Sequence, residues 1–179
     1  MKDTNKIKII GKNGQKIEIT EAEQEQRKKI KKVNDEFKKI NAEKSKMINE
    51  KKIWKYFFEK PKKNYNKYMC EMLEFPEYLM YNNESVDSYR GKWSEFFQND
   101  NNIYLEIGCG SGNFTVKNAQ KFKDRNYIAL ELRFKRLVLA AKKSKKRNLN
   151  NILFIRKRAE TILDFIGKNE ITGVYVNFP

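Results

Sequence analysis

The sequence predicts an α/β fold built on a parallel sheet, and three observations predict it. Within residues 101–179, short apolar segments with strand character alternate with segments whose apolar residues recur at helical spacing. A glycine-rich loop joins the first of these strands to the helix that follows. Upstream, residues 20–58 contain neither glycine nor proline, which predicts one long helix. Strands that alternate with helices form parallel sheets with right-handed crossovers.

The composition excludes several kinds of site. The 179 residues include no histidine, so a histidine general base, a Ser-His-Asp triad and a histidine-ligated metal are all excluded. The two cysteines, Cys70 and Cys109, lie too far apart for a CxxC motif, and we predict no metal site. We expect reduced thiols and a cytoplasmic location. Neither a secretory signal nor a membrane-spanning segment is predicted.

Positive charge is concentrated in two parts of the chain. The formal net charge is +16, of which residues 1–60 carry +8 and residues 101–179 carry +10, whereas residues 61–100 carry −2. Such a field attracts polyanions, and nucleic acid is the most abundant cytoplasmic one. The alternative is a genome whose base composition favours lysine and asparagine codons.

The first 20 residues predict a small hairpin that leads into the helix. Apolar and polar residues alternate in 6–10 and again in 16–19, and the glycines of 11–14 predict the turn. Thr20 is a candidate helix cap, and Glu23 completes the pattern of a capping box.

The long helix carries an apolar stripe among many charges. The apolar residues of the stripe follow steps of three and four, and lysines occupy its two intervening positions. The apolar residues are Ile30, Val33, Phe37, Ile40, Met47 and Trp54. Pro61 is expected to end the helix. The pattern predicts an arm that packs on its own domain or on a partner, including self-association through residues 20–58. Contact of the basic arm with RNA is the alternative.

The rest of the chain is expected to contain a connecting segment and four strands. Residues 61–100 are rich in aromatic side chains and are expected to wrap a core, with a short helix at 92–97. The periodicity predicts strands at 103–107, 127–130, 151–155 and 173–176, separated by helices at 114–122, 134–147 and 160–166.

Three of the eight glycines, Gly108, Gly110 and Gly112, follow the first predicted strand. Glycine permits a tight turn there and lets a ligand approach the main chain. Asn113 stands where a dinucleotide-binding motif has its last glycine. The spacing therefore favours a nucleoside lying across the loop over a pyrophosphate, and a tight turn without any ligand is the alternative.

Two carboxylates flank this loop in the sequence. Glu106 ends the first strand, where it could pair with an ammonium group, and Glu131 ends the second strand, where an acidic side chain reaches ribose hydroxyls. The alternative for either residue alone is a solvated strand end. Together with the glycines, the two acids predict a site for a nucleoside that bears an amino acid, namely S-adenosylmethionine.

Three segments carry a resemblance to a known family: Tyr104–Phe114 (YLEIGCGSGNF), Ala129–Arg133 (ALELR) and Val174–Pro179 (VYVNFP). They resemble successive motifs of the tRNA (guanine-N7)-methyltransferases. Phe75–Tyr78 and Gly91–Trp93 resemble the segment that precedes this family's first strand. The resemblance covers about residues 65–179.

The resemblance implies a Rossmann-like class I methyltransferase sheet, of which this chain contains the first four parallel strands, preceded by the hairpin and the helical arm. Residues 1–60 would form the arm, 61–100 the connection, and 101–179 the N-terminal half of the S-adenosylmethionine-binding domain. The implied activity is methyl transfer to N7 of a guanine in the variable loop of tRNA. The implied cofactor-binding residues are Glu106, Gly108, Gly110, Gly112, Glu131, Arg133, Arg158, Ala159 and Asn177.

The sequence departs from the family pattern at two places. Relatives often have Asp or Asn at the position of Arg158, and arginine has no acceptor for the adenine amino group, so Ala159 or Glu160 would replace that contact. In the family an Asp-Pro-Trp stretch follows Asn-Phe-Pro and supplies the catalytic aspartate, but this sequence ends at Pro179. We therefore assign no catalytic residue and expect an incomplete chain. The alternatives are a class I methyltransferase with another substrate and a non-catalytic RNA-binding fragment.

Overall fold

The computed structural model describes residues 6–10 and 13–177. Part of the predicted turn at 11–14 and the last two residues of the VYVNFP motif therefore lie outside the described residues. In chain order the elements are β1 (Lys6–Ile10), β2 (Lys16–Thr20), α1 (Glu21–Glu50), α2 (Lys67–Met72), β3 (Leu79–Met80), α3 (Asn83–Asp87), α4 (Trp93–Phe97), β4 (Asn102–Ile107), α5 (Asn113–Lys121), β5 (Arg125–Leu130), α6 (Phe134–Lys146), β6 (Ile152–Ile155), α7 (Ile162–Phe165) and β7 (Gly173–Tyr175). Short 3-10 helices lie at Ile53–Tyr56 and Ala159–Thr161.

The predicted hairpin and its cap are confirmed. β1 and β2 pair antiparallel, with Lys6 opposite Thr20 and Ile10 opposite Lys16. The Thr20 hydroxyl accepts from the backbone N–H of Glu23 at 3.2 Å, and the Glu23 carboxylate accepts from the backbone N–H of Thr20 at 2.8 Å. The capping box fixes the start of α1 because it satisfies two otherwise unpaired backbone donors.

The predicted end of the long helix is wrong. α1 ends at Glu50 rather than near residue 58, so Pro61 does not end it and Trp54 is not part of its stripe. Lys52 has φ +53°, which lies in the left-handed region and breaks the helix. The break lets Ile53 pack among Tyr65 and Met69, so burial of an apolar side chain outweighs the helical preference of the local sequence.

The main sheet is parallel throughout and has the strand order β3-β6-β5-β4-β7. All four predicted strands are present, and the predicted Rossmann-like arrangement of parallel strands is confirmed. The fifth strand, β3, comes from the connecting segment and pairs Leu79 with Phe154. Two residues are too few to show a strand period, which is why the sequence did not reveal it.

Helices cover both faces of this sheet. α2, α5 and α6 pack on the face that carries Tyr127, Ala129 and Phe154. α3, α4 and α7 pack on the other face, where Trp93 is fully buried and its indole N–H donates to the Phe165 carbonyl at 2.8 Å. Of the aromatic residues in the connecting segment, several are buried, which confirms that this segment wraps the core: Tyr65, Phe75, Tyr78, Trp93 and Phe97.

β7 forms one edge of the sheet. It pairs with β4, as predicted, and has no strand on its other side within residues 13–177. Val174 and Val176 are 53% and 54% exposed, so this edge is apolar. None of the described helices has both the length and the apolar character that crossing a membrane requires.

Candidate functional site

The loop from β4 to α5 turns on its three glycines. Gly108, Gly110 and Gly112 have φ angles of +72°, +56° and +71°, in the region that side-chain-bearing residues rarely adopt. The backbone N–H of Cys109 donates to the Leu130 carbonyl at 2.9 Å, which holds the loop against the end of β5. The turn therefore requires glycine for its backbone conformation.

The glycines differ in what surrounds them. A Cβ on Gly112 would lie 2.8 Å from the Ala140 Cβ and 3.0 Å from the Phe154 ring, so this glycine permits close packing of the loop on α6 and β6. A Cβ on Gly110 would meet only the Arg136 side chain, at 3.4 Å. Gly108 and Gly110 line an open cleft, whereas Gly112 lies behind it.

The cleft has a volume of about 610 Å³ and lies at the carboxyl ends of β4 and β5. From β4 the chain first adds β5 and β6 on one side and later adds β7 on the other, so strand order reverses at this point. Open α/β sheets bind their ligands at such reversals. The lining residues are Glu106, Gly108, Cys109, Gly110, Ser111, Asn113, Phe114, Glu131, Arg133 and Arg136.

Glu106 is the buried carboxylate of the cleft, with 3% of its surface exposed. One of its oxygens accepts from the hydroxyl of Thr115, which is fully buried in α5. The other accepts from the Asn177 side-chain amide at 3.0 Å. The carboxylate thus joins the ends of β4 and β7 to the first turn of α5. Sequence reasoning did not identify Thr115, since nothing in its local pattern distinguishes it from other helix threonines.

Glu131 is the accessible carboxylate. Its Oε1 accepts from the backbone N–H groups of Leu132 and Arg133 at 2.8 and 2.9 Å, which shapes the turn between β5 and α6. Its Oε2 has no hydrogen-bond partner among the described residues. The half-buried side chain lines the same cleft as Glu106, as the sequence predicted for the two acids.

Two arginines of the cleft carry unpaired guanidinium groups. Neither Arg133 nor Arg136 has a side-chain hydrogen bond or ion pair within the described part of the chain, and Arg136 lies against Gly110. The sequence analysis did not single out Arg136. Its spacing of three residues from Arg133 on a helix, which places both on one face, was the available signal.

Lys143, on α6, binds the glycine loop through two hydrogen bonds. Its ammonium donates to the Ser111 carbonyl at 2.8 Å and to the Asn113 side-chain oxygen at 2.6 Å. Burial lowers the pKa of Lys143, and the positive charges of Arg147 and Arg136 lower it further. The lysine therefore fastens α6 to the start of α5.

Arg156 connects the turn after β5 to the end of the N-terminal segment. Its Nε donates to the Leu132 carbonyl at 3.0 Å, and its guanidinium lies 4.8 Å from the Phe57 ring centre and 4.5 Å from that of Phe134. Burial lowers the pKa of this guanidinium. The segment that follows α1 thus supports the rim of the cleft.

Four predicted site residues do not line the cleft: Gly112, Arg158, Ala159 and Asn177. Arg158 is exposed and pairs with Glu160 at 3.1 Å, and Ala159 packs beside the cluster that includes Phe165. Asn177 reaches the cleft only through its bond to Glu106. The structure therefore brings together Glu106, Glu131, Arg133 and two glycines, and leaves Arg158 and Ala159 outside this group.

Cys109 lies in the loop but is not an activated nucleophile. Burial raises the pKa of its thiol well above the ordinary value, and the nearby carboxylates of Glu106 and Glu131 raise it further. Across the described residues, no cluster of three or more histidine, cysteine or acidic side chains could hold a metal ion.

Comparison with known proteins supports the assignment suggested by the motifs. Residues 100–179 match a protein-family model described as "Putative methyltransferase". A "Bifunctional glycosyltransferase/methyltransferase" of Fusobacterium nucleatum is 53% identical over 129 residues, which are 72% of this chain and 20% of that protein. A "tRNA (guanine-N(7)-)-methyltransferase" of Clostridioides difficile is 38% identical over 108 residues, covering 60% of this chain and 50% of that protein.

One further relative and one solved structure also match part of this chain. A "tRNA (guanine-N(7)-)-methyltransferase" of Bacteroides fragilis is 34% identical over 121 residues, or 65% of this chain and 48% of that protein. Among solved structures, "Structure of an Antibiotic Related Methyltransferase" matches with a TM-score of 0.43 and 22% identity, over 50% of this chain and 46% of that one.

The chain spans about a fifth of the length of the Fusobacterium protein and about half that of the two tRNA methyltransferases. Residues 100–179, which match the family model, contain the glycine loop, the carboxylates of Glu106 and Glu131, and β7. By this match and these identities, the chain is similar to methyltransferases, among them two tRNA (guanine-N(7)-)-methyltransferases.

Proposed function

We propose that this chain binds S-adenosylmethionine in the cleft and is part of an enzyme that methylates N7 of a guanine in the variable loop of tRNA. One observation carries the cofactor assignment: Glu106 and Glu131, at the ends of adjacent strands, line one cleft on either side of the left-handed glycine loop. The identity of the relatives supports tRNA as the substrate.

Three polar groups of this cofactor, the ribose hydroxyls, the ammonium group and the carboxylate, each have a suitable residue in the cleft. Glu131 has a free carboxylate oxygen for the ribose hydroxyls. Glu106 retains unused lone pairs, because a carboxylate accepts about four hydrogen bonds and two are described here, so it offers negative charge to the ammonium group. Arg136, beside Gly110, supplies the positive charge that the carboxylate of the methionine part requires. When bound, the cofactor supplies a methyl group on a positively charged sulfur.

The absence of histidine fits the proposed acceptor. Guanine N7 presents a lone pair on the major-groove edge, so no base has to remove a proton before it attacks. The protein then contributes by aligning the reacting atoms and by excluding water. No residue of this chain is assigned a catalytic role.

Basic residues beyond the cleft support a polyanionic substrate. Residues 101–179 carry a net charge of +10, and the C-terminal turn of α6 is strongly basic. We assign phosphate contacts to Lys146 and Arg147, whereas Lys143 is engaged with the glycine loop, Lys142 with Glu71 and Lys145 with Glu77. The free thiols of Cys70 and Cys109 fit a cytoplasmic enzyme.

Titration calorimetry with S-adenosylhomocysteine tests the cofactor site. The Glu131→Ala variant is expected to bind at least about 30-fold more weakly than the wild type, since it loses its hydrogen bonds to the ribose. Glu50→Ala, which removes an exposed carboxylate at the end of α1, serves as the matched control and is expected to bind normally. Equal affinities of the wild type and Glu131→Ala would contradict the cofactor assignment.

A second experiment tests the substrate. Unmodified tRNA is incubated with the chain and methyl-labelled S-adenosylmethionine, and the position of the label is mapped by nuclease digestion. Label on N7 of the variable-loop guanine supports the proposed reaction. Tight tRNA binding without transfer, in a chain that binds the cofactor, favours the RNA-binding alternative, and label at another base contradicts the proposed substrate.

A further inference from the structure

The first two thirds of α1 project away from the rest of the described chain. Every residue from 25 to 40 is exposed, and four apolar side chains among them lie on one side of the helix. Ile30, Val33, Phe37 and Ile40 are 52%, 48%, 59% and 47% exposed, and we call these four residues the arm seam. A helix in a protein is stabilised mainly by packing of its apolar face. The arm seam therefore requires a packing partner.

The last third of α1 is covered in a different way. From residue 41 onward the helix packs on the segment that contains α2: the Asn41 side chain donates to the Tyr65 carbonyl at 2.9 Å, and Ser45 and Ile48 are fully buried. The prediction that the arm packs on its own domain is thus confirmed for this third alone.

We propose that the arm seam is covered by the same seam of a second copy of this chain, packed antiparallel. The steps between the four residues are three, four and three, so the pattern reads identically in both directions. An antiparallel pair centred on residue 35 places Ile30 opposite Ile40 of the second copy, and Val33 opposite Phe37. One contact layer then pairs two isoleucines and the other pairs a small with a large apolar side chain, so both layers are apolar, as coiled-coil packing requires.

The charges beside the arm seam favour this orientation. Residues 27–32 contain five basic side chains, and in the antiparallel pair they lie along residues 38–43 of the other copy, which carry Lys38, Lys39 and Glu43 and hence a single net positive charge. Lys29 then lies near Glu43 of the second copy, and the twofold axis repeats this pair. A parallel alignment would place the two basic stretches side by side, which costs free energy.

A groove beside the arm seam continues the proposed contact surface. It lies between α1 and α2, has a volume of about 270 Å³, and its lining includes Phe37, Ile40 and Cys70. Its two carboxylates are already paired, Glu71 with Lys142 and Glu74 with Lys44. In the antiparallel pair Ile30 of the second copy reaches this groove, whose apolar atoms suit that side chain.

The size of the contact limits its strength. Stable interfaces bury at least about 1,000 Å², and four half-exposed side chains on each copy supply only part of this area. The groove and the methylene stems of the flanking lysines supply the remainder. We expect a dissociation constant of roughly 1–50 μM, because small interfaces between like-charged chains are weak.

Sedimentation velocity from 1 to 200 μM at near-physiological salt tests the proposal. The Val33→Gln/Phe37→Gln double variant is expected to raise the dissociation constant at least about 100-fold, since both copies lose two apolar contacts. The matched control is Asp35→Gln/Lys38→Gln, which removes an exposed ion pair of 3.4 Å outside the arm seam. Both variants keep the net charge, and glutamine is a good helix former.

A charge exchange tests the orientation and does not depend on the apolar residues. Lys29→Glu and Glu43→Lys are each expected to weaken the dimer about 10-fold, and the variant carrying both changes is expected to restore it. The two residues lie about 21 Å apart along one helix, so they pair only between copies. Far-ultraviolet circular dichroism checks that each variant keeps its helix content.

Several results would overturn the proposal. A wild type that stays monomeric at 200 μM, a dimer unaffected by Val33→Gln/Phe37→Gln, or a charge exchange without restoration each does so. A monomeric wild type whose tRNA affinity falls in Val33→Gln/Phe37→Gln would assign the arm seam to RNA. Because the arm lies outside the cleft, cofactor binding is expected to be unchanged in all five variants, so the proposed function is tested separately.

Discussion

The ends of β4 and β5 lie side by side, yet the carboxylates they carry have different surroundings. Glu106, at the end of β4, is buried and both of its oxygens accept hydrogen bonds from side chains on other elements. Glu131, at the end of β5, is half-buried and bonds only to the backbone of its own turn. The comparison indicates that Glu106 is also a structural joint between elements, whereas Glu131 keeps one carboxylate oxygen without a hydrogen-bond partner among the described residues.

The largest expected effect follows from removing the buried carboxylate. Glu106→Ala leaves Thr115 and Asn177 without their acceptor, and we expect the free energy of unfolding to fall by about 3–4 kcal/mol. Urea unfolding followed by tryptophan fluorescence measures this loss. Glu131→Ala is the matched variant at the β5 end, and its stability is expected to stay within about 1 kcal/mol of the wild type. Equal losses in the two variants would remove the distinction between the strand ends.

The glycines of the loop after β4 also differ in their contacts. Gly112→Ala is expected to destabilise the protein by about 2–3 kcal/mol, because its Cβ would overlap Ala140 and Phe154 and its φ is +71°. Gly110→Ala, with φ +56° and only the tip of Arg136 nearby, is expected to cost about 1 kcal/mol. Thermal unfolding compares them directly. A larger loss in Gly110→Ala would contradict the role of Gly112 in packing.

The role of Arg136 beside the cleft can be examined with two ligands that differ in their amino-acid part. Arg136→Gln is expected to weaken S-adenosylhomocysteine binding about 10-fold through loss of a charge-assisted hydrogen bond. It is expected to leave 5′-methylthioadenosine, which lacks the amino-acid part, unaffected. Lys135→Gln removes the same charge from the preceding residue, which lies over Tyr68 and outside the cleft, and serves as the control. Equal losses for both ligands would assign Arg136 a general structural role.

The sequence predicted the features of this site that depend on local spacing. Gly108 and Gly110 follow β4 directly, and parallel strands end at one edge of a sheet, so the common cleft of Glu106 and Glu131 was predictable. The bond between Glu106 and Asn177 was not, because 71 residues separate them and no local pattern indicates contact.

The errors in the fold have the same origin. Helical preference extends beyond Glu50, but burial of Ile53 requires the left-handed backbone of Lys52 and ends α1 there. β3 consists of two residues whose strand character arises only from pairing with β6. In both cases tertiary contacts decide what the local sequence leaves open.

The smallest expected effect concerns Cys109, which lies between the two strand ends. Its pKa is raised first by burial and then by the charges of Glu106 and Glu131. Because the thiolate is the reactive form, alkylation by iodoacetamide in a Cys70→Ser background is expected to be slow at pH 8 and to accelerate only well above about pH 9. A raised folded-state pKa also means that the neutral thiol contributes stability below the unfolded pKa, and this contribution is lost as pH rises through the folded one.

Variants of Glu106 and Glu131 test how strongly each strand end influences the pKa of Cys109. Glu106→Gln removes the stronger of the two electrostatic causes and is expected to shift the alkylation profile of Cys109 to lower pH by more than Glu131→Gln does. The rate of alkylation across pH 7–11, read by mass spectrometry of the labelled peptide, gives both profiles. A larger shift in Glu131→Gln would mean that the open carboxylate, rather than the buried one, dominates the field at the loop. The roles inferred for the two strand ends would then have to be exchanged.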